Sequence, residues 1–151
     1  TKIMNILKTI ALTLAIIAGG VVSASAEGWI TDFEAAKKQA VAKKVPIVAN
    51  FSGSDWCGWC IKLDREVFAK EEFLSYAKDN LVLLNLDFPA RAKQEKAVAD
   101  QNKALAAKFG IKGYPTILIL DATGKEIART GYRRGGPDGY IEHIKELIAK
   151  Q

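Results

Sequence analysis

The sequence predicts an α/β fold in which a central mixed β-sheet carries helices on both of its faces. Helical and strand patterns alternate along most of the chain, as they do where crossover helices join parallel strands. The predicted strands are short apolar runs, which are typical of strands buried on both faces. A tight turn over residues 121–125 joins the last two strands, which adds an antiparallel pair to the sheet.

The N-terminal 26 residues differ in composition from the rest of the chain. Lys2 and Lys8 stand before an uncharged run, residues 9–22, and small residues follow up to Ala26. A basic N-terminal region, a short apolar run and a cleavage site of small residues are the three parts of a secretory signal peptide. An uncleaved membrane anchor is the alternative, but the run is shorter than the ~20 apolar residues that span a bilayer. We therefore expect residues 1–26 to be a signal peptide cleaved near Ala26.

The remaining residues, 27–151, have the length of one domain with a sizeable core. The formal net charge of +5 is modest, and a nucleic-acid-binding protein would gather its basic residues on one face. The densest basic cluster, at 129–134, stands beside glycines and is interpreted as a solvated turn. We expect a monomer that is exported to the periplasm or the extracellular space and does not bind nucleic acid.

The first half of the domain alternates helix and strand. Thr31 and Glu34 have the spacing of a capping box at a helix start, and Pro46 marks the end of that helix. The predicted elements are a helix after Thr31, a buried strand at 45–51, a turn at 52–55, a helix from Cys57 and a short helix at 71–80.

The second half ends in a hairpin and a helix. Gly110 is placed to stop a helix in the left-handed conformation, and Gly124 can adopt the positive φ that the tight turn requires. The predicted elements are a strand at 81–87, a helix at 91–109, a strand at 116–120, a returning strand at 126–130 and a final amphipathic helix at 139–150.

Both cysteines of the chain, Cys57 and Cys60, lie in the stretch SGSDWCGWCIKL, residues 52–63. A structural zinc site needs four ligands, usually cysteine and histidine. Besides the two cysteines the chain has a single histidine, His143, which we interpret as a solvated residue of the last helix. A purely structural disulfide would close a loop of four residues and contribute only ~2 kcal/mol by the chain-entropy formula. Neither a metal site nor a structural cross-link explains the spacing well, and we expect no metal.

The spacing fits a redox centre better. Residues three apart at the start of a helix lie on the same side, and the helix N-terminus favours an anion at Cys57. Such an environment lowers a thiol pKa from ~8.5 toward ~3.5–7.5. Cys57 can then attack as a thiolate and Cys60 can resolve the mixed disulfide, with no cofactor. The pair follows a predicted strand and opens a predicted helix, the context that strengthens a CxxC motif.

A second motif, GYPT at residues 113–116, precedes the third strand. Pro115 could follow a cis peptide bond, which is usually a conserved structural feature, or it could simply begin a strand. The residues by themselves leave both alternatives open.

Together these motifs resemble the thioredoxin superfamily, and in particular its exported thiol:disulfide oxidoreductases. The resemblance rests on PIVANF, WCGWC, LVLLNLD, FGIKGYPTILIL and DATGKEIART, in that order. It implies a thioredoxin fold, a cis peptide bond between Tyr114 and Pro115 packed against the cysteines, Cys57 as nucleophile and Cys60 as resolving thiol. It also implies that the backbone near Pro115 pairs with substrate polypeptide.

The chain departs from thioredoxin at the active site. Trp59 replaces the proline between the cysteines, so a strongly reducing character does not follow. Alignment places Asn50 where thioredoxin has a buried aspartate, and Leu83 where it has the associated lysine. Asp55 could replace the lost carboxylate, or it could be a turn or helix-cap residue. The segment 88–112 is longer than in thioredoxin and either shapes the substrate surface or covers the sheet edge.

The resemblance and the exposed aromatic residues define the expected function. Trp56 and Trp59 are expected to bind extended peptide beside the reactive sulfur together with Tyr114 and Pro115, although Trp56 could simply pack on the domain. The expected partners are protein or peptide disulfides and a membrane-embedded electron donor. The competing hypothesis is a non-enzymatic peptide-binding module in which the disulfide is static.

Overall fold

The computed structural model describes residues 28–151, so the expected signal peptide at residues 1–26 lies outside the described residues. Within the described part, no helix is long and apolar enough to cross a membrane. The strands are β1 (Trp29–Ile30), β2 (Ile47–Ser52), β3 (Val82–Asp87), β4 (Thr116–Leu120) and β5 (Glu126–Thr130). The helices are α1 (Phe33–Lys43), α2 (Gly58–Leu63), α3 (Glu71–Asn80), α4 (Lys96–Lys108) and α5 (Gly136–Ala149), with a π-helical turn at Asp64–Phe68.

The five strands form one mixed sheet in the order β1-β3-β2-β4-β5. β3 runs parallel to both β1 and β2, whereas β4 is antiparallel to β2 and to β5. β2 therefore lies in the middle of the sheet, and all six of its residues are buried. The predicted α/β fold with a central mixed sheet is confirmed.

Two hydrophobic layers cover the two faces of the sheet because successive side chains of each strand point to opposite sides. Val48 of β2 belongs to the layer beneath α2, α3 and α5, and Ala49 belongs to the layer beneath α1 and α4. The first layer is rich in aromatic rings, and Phe68 of the π-helical turn packs against Phe73 of α3 and Tyr140 of α5. Helices thus lie on both faces, as the sequence predicts.

The first helix begins one residue later than the capping-box prediction. Asp32, not Thr31, is the N-cap, and its Oδ1 accepts a hydrogen bond from the N–H of Ala35 at 2.6 Å. Strand β1 was not predicted, because Trp29 and Ile30 are too few residues to show a strand periodicity. They become a strand only because they pair with β3.

Three other helices differ from the predicted ranges. The final helix, predicted at 139–150, begins at Gly136 and ends at Ala149. The helix expected at 91–109 begins only at Lys96. The helix that follows the cysteines becomes π-helical after Leu63, where the N–H of Ala69 donates to the carbonyl of Asp64, five residues earlier, at 2.8 Å. π-Helical turns are uncommon and frequently lie at functional sites.

The interpretation of His143 as a solvated residue is wrong. The imidazole is half-buried, its Nε2 lies 2.9 Å from Thr130 Oγ1 on β5, and its ring contacts Tyr140. Burial and the nearby Arg133 guanidinium lower the pKa of His143. The side chain therefore joins α5 to the edge strand in its neutral form.

Gly124 has the positive φ that the hairpin turn requires, at +88°. A Cβ at this position would also lie 2.7 Å from Phe33 Cζ in α1. The turn is thus packed directly against the first helix.

We expect Gly124→Ala to lower the free energy of unfolding by ~2 kcal/mol, because the left-handed backbone and the Phe33 contact both oppose a side chain. Gly139→Ala is the matched control: it lies inside α5 with open space around it, and alanine in a helix is more stable than glycine by ~0.5–1 kcal/mol. Urea unfolding measures the free energy of unfolding of both variants. Equal effects of the two substitutions would contradict this account of the turn.

Candidate functional site

The two cysteines lie at the junction between β2 and α2. Cys57 is the N-cap residue of α2, and its Sγ accepts a hydrogen bond from the N–H of Cys60 at 3.2 Å. The N–H of Cys57 closes the preceding turn on the carbonyl of Gly53 at 2.9 Å. A disulfide joins the two cysteines, whose exposed fractions are 6% and 4%. The sulfur pair is therefore placed at a helix start, as the sequence predicts.

Pro115 lies at the same end of the sheet as the cysteines. Thr116, the first residue of β4, pairs with Phe51 near the end of the antiparallel β2, so the residue before β4 stands beside the turn that leads to Cys57. The peptide bond between Tyr114 and Pro115 is cis. The GYPT motif and the WCGWC motif, more than fifty residues apart in sequence, are thus brought to one edge.

Trp56 packs on the domain and is also partly open to solvent. Its Nε1–H donates to the carbonyl of Phe88 at 2.8 Å, and its ring contacts the Tyr114 ring edge-on at 5.6 Å between centroids. A Cβ at Gly53 would collide with the indole, so the glycine allows the ring to lie flat against the turn. With 47% of its surface exposed, Trp56 both fixes the turn and presents an aromatic surface.

Trp59 is 55% exposed and contacts Tyr132, which was not among the predicted site residues. Its ring lies 5.0 Å from that of Tyr132, just after β5, and the Lys62 ammonium lies over both rings at 5.1 and 5.3 Å from their centroids. Tyr132 is held in turn by its hydroxyl, which donates to Glu66 at 2.7 Å. Because the residues are distant in sequence, no local pattern indicates this aromatic and cationic surface.

Asp55 has a structural role, because both of its carboxylate oxygens accept hydrogen bonds. It accepts hydrogen bonds from the backbone N–H groups of Ala90, Arg91 and Ala92 at 2.7–2.8 Å. These amides, Ala90 first, lower the pKa of Asp55. The same bonds anchor residues 90–92, which precede α4, to the turn that leads to Cys57.

Asp87 connects the end of β3 to the cysteine turn. Its carboxylate accepts from both the N–H and the hydroxyl of Ser54, at 2.9 and 2.6 Å. Its backbone carbonyl accepts from the side-chain amides of Gln94 and Asn102. The longer segment between β3 and α4 is therefore tied to the site through Asp55, Trp56 and Asp87.

Asn50 lies on β2 beneath the cysteines, directly opposite Asn85 of β3. The Asn50 Nδ2 donates to Asn85 Oδ1 at 3.2 Å, while Asn50 Oδ1 is buried without a hydrogen-bond donor among the described residues. Leu83, the position aligned with the lysine of thioredoxin, pairs instead with Val48. A pair of amides, Asn50 and Asn85, thus stands where the alignment places the buried aspartate of thioredoxin.

The arrangement is suited to thiol–disulfide exchange. A disulfide at a helix start, two partly exposed indoles and the residues before β4 lie together at one end of the sheet. Within residues 28–151, no group of three or more His, Cys, Asp or Glu side chains could hold a metal ion.

Comparison with known proteins gives a consistent result. The model of the thioredoxin-like domain family matches residues 33–139. The disulfide bond reductase DsbH of Chlamydia pneumoniae is 35% identical over 103 residues, which are 68% of this chain and 62% of DsbH. The thioredoxin-related protein DsbJ of the same organism is 31% identical over 68% of this chain and 30% of its own length. The chain therefore spans less than two thirds of either relative.

A solved structure described as DsbH oxidoreductase superposes with a TM-score of 0.76. It is 28% identical in sequence, and the match covers 95% of this chain and 96% of that one. The similarity therefore extends beyond the cysteine motif to almost the whole domain.

We expect Asp55→Ala to increase amide hydrogen exchange several-fold at residues 90–92, because the three N–H groups lose their charged acceptor. Amides of β2 should keep their protection. Asp79→Ala, an exposed carboxylate on α3, is the control. Unchanged exchange at 90–92 would contradict the role assigned to Asp55.

The lowered pKa of Asp55 predicts that the free energy of unfolding depends on pH. The folded pKa of Asp55 is lower than its unfolded value, so its contribution to stability is present above the unfolded pKa of ~3.9 and is lost as the pH falls through the folded pKa. Asp55→Asn should therefore flatten the acid limb of the unfolding free energy, measured by urea titration between pH 7 and pH 2. An unaltered acid limb would argue against the three amide bonds.

Proposed function

Because the chain belongs to the thioredoxin-like domain family, we propose that it is an exported thiol:disulfide oxidoreductase that reduces or isomerises protein disulfides with its CGWC pair. The observation that carries this proposal is the Cys57–Cys60 disulfide at the start of α2, beside Pro115, the residue before β4. The relatives named as a disulfide bond reductase and as protein disulfide-isomerases support the same class of reaction.

We assign Cys57 as the nucleophile and Cys60 as the resolving thiol. The two cysteines are almost equally buried in the disulfide, so their exposure does not indicate which is the nucleophile. Their positions in the helix do. Cys57 is the N-cap residue, where its sulfur accepts an N–H hydrogen bond that would favour the thiolate. Cys60 lies one turn into the helix, within reach of Cys57 and away from an incoming substrate.

Substrate polypeptide would lie across the exposed face of this pair. Trp56 and Trp59 offer two half-exposed rings, and aromatic rings bind extended peptide with little loss of conformational entropy. Tyr114 contacts the Trp56 ring edge-on, and the backbone near Pro115 would pair with a peptide strand. Specificity would then come from the two indoles, and affinity from the backbone.

Export is part of the proposal. The charge and apolar pattern of residues 1–26 supports a signal peptide, which would leave residues 27–151 as the mature thioredoxin-like domain and, we expect, a monomer. Disulfides form and persist outside the cytoplasm. A reductase in that compartment needs a source of electrons, for which a membrane-embedded dithiol donor is the candidate.

A trapping experiment tests the assignment of the cysteines. Cys60→Ser should accumulate a covalent mixed disulfide with a peptide disulfide substrate, because Cys57 can attack but nothing resolves the product. Cys57→Ser is the matched variant and should trap none and abolish turnover. Mass spectrometry measures the amount of mixed disulfide formed by each variant. If Cys60→Ser traps no substrate, the pair is a static disulfide and the alternative, a non-enzymatic peptide-binding module, is correct.

Equilibration of the Cys57–Cys60 pair with glutathione determines the direction of electron flow. We expect a potential between those of thioredoxin, ~−270 mV, and protein disulfide isomerase, ~−180 mV. A value near ~−120 mV, which is typical of a strong oxidant, would exclude the reductase and isomerase roles.

A further inference from the structure

Positive charge gathers on the side of the cysteines that faces β4 and β5. Two segments lie there, residues 109–115 before β4 and residues 131–135 after β5. Both lie at the same end of the sheet as Cys57, because β4 is antiparallel to β2 and to β5. Neither segment contains an acidic residue. The charged residues of the two segments are all basic and exposed: Lys112, Arg133 and Arg134.

Lys62 of α2 adds a fourth positive charge, and its place is fixed by two aromatic rings. The ammonium lies 5.1 Å from the ring centroid of Trp59 and 5.3 Å from that of Tyr132, a range in which the ring face attracts a cation. Trp59 stands between the two cysteines, so this charge is held close to the reactive sulfurs. We call these four residues the basic rim: Lys62, Lys112, Arg133 and Arg134.

Glu66 is the acidic neighbour of Lys62 and offsets its charge only in part. One carboxylate oxygen lies 3.9 Å from the ammonium, and the other accepts the hydrogen bond of the Tyr132 hydroxyl at 2.7 Å. Both charged side chains are 36% exposed, and an ion pair this long and this solvated is weak. The other three members of the basic rim form no ion pair within residues 28–151.

The opposite side of the cysteines, toward β3, has no such excess of positive charge. The segment after β3, residues 88–95, contains Arg91 and Lys93 but also Glu95. The carboxylate of Asp55 is bound to the same segment through its backbone amides. Two positive and two negative groups therefore stand together there, and the positive field around the nucleophile is confined to the Trp59 side.

We propose that the protein acts preferentially on disulfides within acidic segments of polypeptide, whose carboxylates lie against the basic rim on the Trp59 side. This inference rests on the proposed function, because it specifies the class of substrate for the same site. The rings of Trp59 and Tyr132 supply apolar contact, and the basic rim supplies the selection by charge.

A positive rim matters for such a substrate because of the charges in the reaction itself. The Cys57 thiolate attacks one sulfur of the substrate disulfide, a bond forms between Cys57 Sγ and that sulfur, and the other sulfur leaves as a thiolate. Carboxylates beside the disulfide repel the incoming thiolate, since like charges raise the energy of approach. Basic side chains around the nucleophile offset this repulsion and increase the rate of encounter with an acidic partner.

The test compares three peptide disulfides that differ only in the residues beside the cysteine, which are acidic, neutral or basic. The rate of mixed-disulfide formation is measured with the full chain carrying Cys60→Ser, where Cys57 alone reacts. Each rate is divided by the rate of the same peptide with 2-mercaptoethanol, a neutral thiol, which corrects for the intrinsic reactivity of the disulfide. The corrected rate thus measures selection by the protein.

We expect the corrected rate of the acidic peptide to exceed that of the basic peptide by about tenfold at ~0.01 M salt. The difference should disappear near ~1 M salt, because the Debye length falls from ~30 Å to ~3 Å over this range.

Variants of the rim should change this preference in opposite directions. Lys62→Gln should lower the ratio of acidic to neutral rates several-fold, and Lys62→Arg should keep it. Glu66→Gln should raise the ratio, because it removes a negative charge but leaves an oxygen to accept from the Tyr132 hydroxyl. Lys125→Gln is the matched control: it removes the same charge from the exposed β4–β5 hairpin, at the opposite end of the sheet, and should leave the ratio unchanged.

The ratio, and not the absolute rate, separates selection of the substrate from an effect on Cys57. A variant that alters the thiolate changes the rates of the acidic and neutral peptides equally. A variant that acts on the substrate charge changes their ratio.

Three results would overturn the proposal: equal corrected rates for the three peptides, a ratio that Lys125→Gln lowers as much as Lys62→Gln, or inhibition by vesicles of phosphatidylglycerol without any preference among peptides. The second would show an effect of net charge alone, and the third would assign the basic rim to a membrane surface. Absence of a mixed disulfide with all three peptides would instead refute the proposed function itself, and the preference with it.

Discussion

The confinement of β2 is the constraint on which the site depends. This strand is hydrogen-bonded to β3 along one edge and to β4 along the other, and it is buried on both faces. Only its C-terminal end is free to turn outward, and Cys57 follows there. Because β4 is antiparallel to β2, the start of β4 reaches the same end, which places Pro115 beside the cysteines. The site is therefore a consequence of strand direction in the centre of the sheet.

Two carboxylates around this end have structural tasks. Asp55 orders residues 90–92, and Asp87 fastens the cysteine turn through Ser54. Both are satisfied by hydrogen bonds and act as structural supports for the turn that carries the cysteines.

The fold was predictable to the extent that it follows local periodicity. The strands of the central sheet and most of the helices could be read from apolar runs and from Gly110 and Gly124, because their burial leaves a local pattern. The errors arise where a distant partner decides the local geometry. Trp29 and Ile30 become a strand through β3. Residues 90–92, predicted as helix, are instead anchored to Asp55, more than thirty residues earlier.

By itself the sequence determined the chemistry of this protein: two thiols three residues apart at the start of a helix, because that spacing and that position are local properties of the chain. Only the tertiary structure decided what surrounds them. It brought Tyr132 under Trp59 and committed Asp55 to backbone amides. Both contacts join residues that are distant in the sequence, so no local pattern of the chain could indicate them.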